Sequence, residues 1–62
     1  MISYKRIKNT TLQGLEIVVR KKGGGYDTLW LPSKKTVVVP DESITDLVRV
    51  AERRQMLKIT NA

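Results

Sequence analysis

Three short runs of consecutive apolar residues, at positions 17–19, 29–31 and 37–39, mark the hydrophobic pattern of this 62-residue chain. Successive side chains of a β-strand point to opposite faces, so each run would place apolar groups on both faces of a sheet. A chain of this length has too little mass to cover both faces by itself. The pattern therefore requires either a helix on one face and a curled sheet that hides the other, or a second chain.

The alternation of apolar and polar residues predicts four strands, at residues 2–7, 15–20, 26–31 and 36–39. Three consecutive glycines, residues 23–25, predict a hairpin loop between the second and third strands. Residues 32–35 predict a tight turn with Pro32 at its first corner. Pro40 is expected to end the fourth strand, because it lacks an N–H to donate.

A helix is predicted at residues 43–54, capped by Asp41 or Ser43. Its expected apolar face, at helical spacing, consists of Ile44, Leu47, Val48 and Ala51. A short closing strand follows, with Met56, Leu57 and Ile59 as its apolar residues. The expected fold is mainly β with one helix, a single domain over residues 1–62. Strands that neighbour each other in the chain would pair as an antiparallel meander in a small barrel or sandwich.

The net charge of +6, with twelve Lys and Arg residues, raises nucleic acid as a partner. The basic residues are dispersed, however, and two groups fall at predicted turns, where solvated lysines are ordinary. The candidate nucleic-acid contacts at these turns are Lys21, Lys22, Lys34 and Lys35. The alternatives are a solvated surface or an acidic protein partner.

The sequence lacks the residues that most catalytic mechanisms require. Cysteine and histidine are absent, which excludes a disulfide framework, a Cys/His zinc site and an imidazole base. The acidic group at Asp41, Glu42 and Asp46 is explained by the start of the helix. The glycine run leads into a strand and does not form a phosphate-binding loop. We expect neither an enzyme nor a bound cofactor or metal.

The predicted outward side of the strands carries the candidate protein interface. Tyr26 and Trp30 share one face of the third strand, and Trp and Tyr are enriched at interface hot spots. A core position for Trp30 is the alternative reading. The residues assigned to the candidate interface are Val18, Tyr26, Trp30 and Val38. A domain of this size without disulfides or metals usually needs association for stability, so an oligomer or a multi-copy assembly is expected.

The sequence also resembles small virion proteins of tailed bacteriophages. The resemblance rests on residues 29–34 (LWLPSK), 37–40 (VVVP), the apolar positions Ile44, Leu47 and Val50, and residues 57–59 (LKI). The chain differs from that pattern in having Ser33 after Pro32, in place of a Pro-Gly turn, and Arg54-Gln55 where a glycine often precedes the last strand. The resemblance implies a β-rich structural protein of the capsid, the head–tail connector or the tail, assembled with other virion proteins in the host cytoplasm.

Two further function classes stay open at this point. A small basic β-barrel module that binds nucleic acid would show salt-sensitive binding. A small regulator of another enzyme would also be compatible with the size and charge of the chain. The longest apolar run has three residues, so no membrane association is expected.

Overall fold

The computed structural model of the chain describes residues 2–62, and the first residue of the predicted domain lies outside the described part. The elements in chain order are β1 (Tyr4–Asn9), β2 (Leu15–Arg20), β3 (Tyr26–Leu31), β4 (Thr36–Pro40), a 3₁₀ turn (Asp41–Ser43), α1 (Asp46–Arg53) and β5 (Leu57–Asn61). The prediction of a mainly β chain with one helix in its C-terminal half and a short closing strand is confirmed.

The strands form two antiparallel sheets, one with the order β4-β1-β5 and one with the hairpin β2-β3. The predicted meander of sequence neighbours is therefore wrong, because only β2 and β3 pair with a neighbour. The backbone N–H of Asn9 donates to Lys35 at 3.0 Å and that of Thr10 donates to Met56 at 3.1 Å. These long-range bonds continue the ladders of β1 with β4 and β5. No closed barrel is found within residues 2–62.

One core joins the inner faces of both sheets to the helix. Its buried apolar residues are Ile7, Ile17, Val19, Leu31, Val39, Ile44, Val48 and Leu57. Ile7, at the centre of the middle strand of its sheet, is fully buried. Burial of a side chain of this size stabilises a fold by about 1.5–3 kcal/mol. Because the inner faces share this core, the outer faces of the two sheets point away from each other.

The helix begins three residues later than predicted. Ile44 is extended and bridges Val19 of β2, so the chain is not yet helical at that residue. Thr45 is the cap, since its hydroxyl accepts from the N–H of Val48 at 3.4 Å and donates to the carbonyl of Val18 at 2.7 Å. The predicted caps, Asp41 and Ser43, lie instead in the 3₁₀ turn.

The later start of the helix changes which of its residues face the core. Val48 is buried and Ala51 packs against the core, but Leu47 is 63% exposed. The prediction that Leu47 faces inward is wrong, because tertiary contacts of Ile44 and Thr45 with β2 fix the rotation of α1. Leu47 is therefore an apolar side chain directed away from the core.

The turn after β3 and the bounds of β1 also differ in detail from the sequence-based expectation. The carbonyl of Pro32 accepts from the N–H of Lys35 at 3.1 Å, so Ser33 and Lys34 occupy the corners and Pro32 precedes them. Lys34 adopts a positive φ of 64°. The first strand begins at Tyr4, two residues later than predicted, and it extends to Asn9.

The helix ends on a residue with left-handed backbone. Gln55 has a φ of 62° and its N–H donates to Glu52, while the N–H of Met56 donates to Ala51. These two bonds form a Schellman motif, in which glycine is the usual residue at the position of Gln55. The motif reverses the chain direction and leads it directly into β5.

Candidate functional site

The outward side of the β2-β3 hairpin carries several exposed apolar side chains. Its cross-strand pairs are Glu16 with Trp30, Val18 with Thr28, and Arg20 with Tyr26. We refer to these six residues, together with Leu47 of the adjacent helix, as the hairpin face. It carries both charge signs, with Glu16 and Arg20 at its two ends.

Large apolar side chains of the hairpin face are exposed to solvent. Trp30 is 67% exposed, Tyr26 64% and Leu47 63%. Val18 of β2 lies beside α1 and is half-buried. Two shallow depressions lie along that junction, and Val18 and Leu47 line both of them. Grouped apolar side chains of this kind on a small domain mark interaction sites more often than scattered single residues do.

Trp30 is fixed in place by its contact with Gly14. A Cβ atom added at Gly14 would lie 2.7 Å from Cη2 and 2.8 Å from Cε2 of Trp30, closer than real Cβ contacts permit. The indole ring therefore packs on the backbone of Gly14, and no larger residue fits there without displacing it. An exposed tryptophan with a fixed orientation loses little side-chain entropy when a partner binds.

Asn9 forms hydrogen bonds to the residues that adjoin Gly14 and Trp30 in the chain. Its side-chain amide donates to the carbonyl of Gln13, which precedes Gly14, at 2.7 Å, and to that of Leu31, which follows Trp30, at 3.0 Å. The carboxamide oxygen of Asn9 accepts from the N–H of Thr11 at 2.8 Å. The side chain is fully buried, and its hydrogen bonds link the end of β1 to the hairpin.

The role of Asn9 was missed by the sequence analysis, which assigned no function to this residue. The pattern Asn-Thr-Thr was itself the available signal, because an asparagine side chain commonly bonds the backbone two residues later. The link between Asn9 and Leu31, in contrast, spans 22 positions and depends on the tertiary fold.

The four residues predicted as one protein interface do not form one surface. Val18, Tyr26 and Trp30 lie on the hairpin face, and the core position considered for Trp30 does not occur in this chain. Val38 is 52% exposed but belongs to the outer face of the other sheet, opposite Arg6 of β1. The structure therefore brings together three of the four residues and separates the fourth.

The lysines predicted to contact nucleic acid also lie in two separate places. Lys21 and Lys22 lie at the glycine loop before β3, and Lys34 and Lys35 lie in the turn after it. A six-residue strand spans about 20 Å, so the two pairs lie at opposite ends of the hairpin. The ammonium group of Lys34 donates to the carbonyl of Thr10 at 2.8 Å. These four residues therefore do not make a continuous basic patch.

Residues 2–62 contain no group of three or more acidic, His or Cys side chains arranged to hold a metal ion. No helix in the described part of the chain has the length and apolar character needed to cross a bilayer. Comparisons with models of protein families, with curated proteins and with solved structures find no match. The resemblance to phage virion proteins thus stays a prediction from the sequence.

Proposed function

We propose that this protein is a structural component of a multi-copy assembly and acts by protein–protein contact through the hairpin face. The observation that carries the proposal is the group of exposed apolar side chains in which Trp30 is fixed by Gly14. Tryptophan and tyrosine dominate the binding energy of many interfaces because they bury a large area with few rotatable bonds. Trp30 is the expected anchor, with Tyr26 and Leu47 around it.

The free edge of β3 supports a second copy of this chain as the first partner. β3 pairs only with β2, so its other edge offers backbone N–H and C=O groups to a further strand, except the N–H of Thr28, which donates to the Asp27 carboxylate at 2.9 Å. Antiparallel pairing of two β3 edges would be self-complementary, as a two-fold dimer requires. It would extend both hairpins into one four-stranded sheet and place two hairpin faces side by side.

The free edges of β2 and β5 are less accessible, whereas the outer edge of β4, like that of β3, pairs with no further strand. The edge of β2 is engaged by Ile44 and by the hydroxyl of Thr45. Glu52 of α1 accepts from the N–H of Ile59 at 3.3 Å and so covers part of the edge of β5. This contrast favours β3 over β2 and β5 as the strand that pairs with another chain.

The setting that the sequence resemblance implies is a tailed-bacteriophage particle, as a capsid, head–tail connector or tail accessory protein. We infer a virion location, no enzymatic activity and no cofactor. For the fold we propose an open sandwich or partial barrel, because the two sheets share one core while β3 and β4 stay unpaired with each other. Neighbouring subunits of the particle would then complete the sheet edges.

The test measures self-association of the purified full chain by sedimentation velocity over a wide concentration range. We expect oligomers, and we expect Trp30→Ala to weaken association at least about tenfold, as loss of a hot-spot residue does. Val38→Ala is the matched control, since it removes an exposed apolar side chain from the other sheet. A wild-type chain that stays monomeric at high concentration would contradict the second-copy model, as would equal effects of the two variants.

A further inference from the structure

A second exposed surface, the outer face of the three-stranded sheet, has a different composition from the hairpin face. Alternation along the strands directs one set of side chains away from the core. Its members are Tyr4, Arg6 and Lys8 on β1, Thr36, Val38 and Pro40 on β4, and Lys58 and Thr60 on β5. We call this set the cationic face.

Three positive charges lie on the cationic face, and none of its members is acidic. Lys8 pairs directly opposite Lys58, and Arg6 pairs with Thr60. One shallow depression is lined by Arg6, Lys8, Thr36, Lys58 and Thr60. Like charges directly opposite each other in a sheet are destabilising. The arrangement therefore opposes folding to a small extent, and an anion bound between the strands would neutralise it.

Tyr4 extends the same row along the middle strand. Tyr4, Arg6 and Lys8 occupy every second position of β1, so their side chains leave the same face at intervals of about 6.7 Å. Tyr4 is 45% exposed. A flat sheet with an aromatic ring and cations along one strand combines the two features that bind single-stranded nucleic acid, base stacking and phosphate neutralisation.

We propose that the cationic face binds the sugar–phosphate backbone of single-stranded nucleic acid, with Arg6, Lys8 and Lys58 at the phosphates and Tyr4 against a base. The hydroxyls of Thr36 and Thr60 lie beside the cations as further donors to phosphate oxygens. An acidic polypeptide would use the same cations but has no base to stack on Tyr4. The proposed contacts differ from the four turn lysines predicted from the sequence.

This proposal is independent of the assembly proposed for the hairpin face. The two faces lie on opposite sides of one core, and they share no residue. Binding of nucleic acid to the cationic face would leave Trp30 and the edge of β3 accessible. Failure of one proposal therefore leaves the other to be judged by its own measurement.

The experiment measures fluorescence anisotropy of a labelled oligothymidylate of about 20 nucleotides, long enough to span one small domain, with the full chain at low salt. The test variant replaces Arg6, Lys8 and Lys58 by glutamine. The matched control makes the same three charge losses elsewhere, at Lys21, Lys22 and Arg54, all of which are exposed. Circular dichroism melting confirms that both variants are folded.

The test variant should bind at least about tenfold more weakly than the control variant at about 50 mM salt. Its salt dependence should also fall, by about 0.7 in the slope of log K against log salt for each lost phosphate contact on a single strand. Equal loss in both variants would show only a net-charge effect and would overturn the proposal. So would an absence of binding by the wild-type chain at low salt.

Two further measurements separate the possible ligands. Tyr4→Leu keeps the charge and removes the stacking ring, and we expect it to weaken oligothymidylate binding about fivefold or more. Polyglutamate and inorganic phosphate are added as competitors. Displacement of the oligonucleotide by polyglutamate at equal charge concentration, with no effect of Tyr4→Leu, would identify an acidic polypeptide as the better partner and overturn the proposal. If inorganic phosphate displaced the oligonucleotide as well as polyglutamate does, the cationic face would be a simple anion-binding surface, and the proposal would also be overturned.

Discussion

The hairpin face and the cationic face use the same kind of scaffold, the outer side of a small antiparallel sheet, for opposite surface chemistry. The hairpin face has aromatic and aliphatic side chains and balanced charge. The cationic face has three positive charges, two threonines and a single aromatic ring. One surface gains free energy mainly when apolar area leaves water, and the other mainly when phosphates displace counterions.

Exposure alone does not define a site in so small a protein. Trp30 and Val38 are both more than half exposed, but only Trp30 is fixed by a neighbouring backbone and surrounded by other apolar groups. Val38 lies beside Arg6 and is an isolated apolar residue on a charged surface. We therefore treat Val38 as part of the cationic face and not as an interface anchor.

The largest effect is expected for Asn9→Ala, which removes the side-chain hydrogen bonds that link the end of β1 to the β2-β3 hairpin. Three backbone groups, of Thr11, Gln13 and Leu31, would each lose a hydrogen bond, although the carbonyl of Gln13 keeps the one from the Thr11 hydroxyl, and the free energy of unfolding should fall by about 3 kcal/mol. Urea denaturation measures the change. Asn61→Ala, at an exposed asparagine that accepts a hydrogen bond from Lys5, should change stability by less than about 0.5 kcal/mol.

A loss of this size is a large part of the free energy of unfolding of so small a domain. Self-association through the hairpin face and nucleic-acid binding by the cationic face should therefore weaken together. An Asn9→Ala variant with wild-type unfolding free energy would contradict the role assigned to the buried amide.

A smaller effect, confined to the hairpin face, is expected for Gly14→Ala. The new Cβ overlaps the ring of Trp30, so the ring must move, at a cost of about 1–3 kcal/mol. Trp30 is the only tryptophan, so its emission spectrum reports the displacement directly. Self-association should weaken while oligonucleotide binding stays unchanged.

Leu12→Ala is the control in the same loop, because Leu12 is 87% exposed, and it should change neither quantity. Unaltered emission and association in Gly14→Ala would show that the ring is not fixed by this contact.

Gln55→Gly should stabilise the protein and alter neither face. A residue other than glycine at a φ of 62° is strained, and glycine should raise the free energy of unfolding by about 1 kcal/mol. Thermal melting measures the gain. Gln55→Ala keeps the strain and serves as the control, with no gain expected. Lower stability of Gln55→Gly would mean that the side chain of Gln55 contributes more than its backbone strain costs.

The smallest effect is expected for Lys8→Gln on the cationic face. Removal of the charge opposite Lys58 should raise the free energy of unfolding by about 0.5 kcal/mol at low salt, while it weakens oligonucleotide binding. The gain in stability should vanish at about 1 M salt, where charges are screened within about 3 Å. A loss of stability at low salt would show that Lys8 makes favourable contacts in the folded chain and would remove the electrostatic reason for a bound anion.

Several features of the fold follow from local sequence. The alternation in residues 15–20 and 26–31 and the glycines between them predicted β2, β3 and their hairpin correctly, because the loop and both strands lie within 17 residues. The apolar spacing after Pro40 predicted a helix in the right region. The net positive charge suggested nucleic acid as a partner. The contacts were assigned to turns, because basic residues form the most visible clusters of the sequence there.

The strands, the hairpin loop and the presence of one helix can be read from the order of residues, because these features depend on side-chain period and on glycine and proline. Only the tertiary structure decided the pairing of β1 with β4 and β5, since contacts between distant residues leave no local periodicity. It also placed Leu47 outside through the cap at Thr45, and it brought Arg6, Lys8 and Lys58 together from two ends of the chain. The cationic face is therefore a product of long-range strand pairing, which the order of residues along one strand does not specify, whereas most of the hairpin face follows from local alternation.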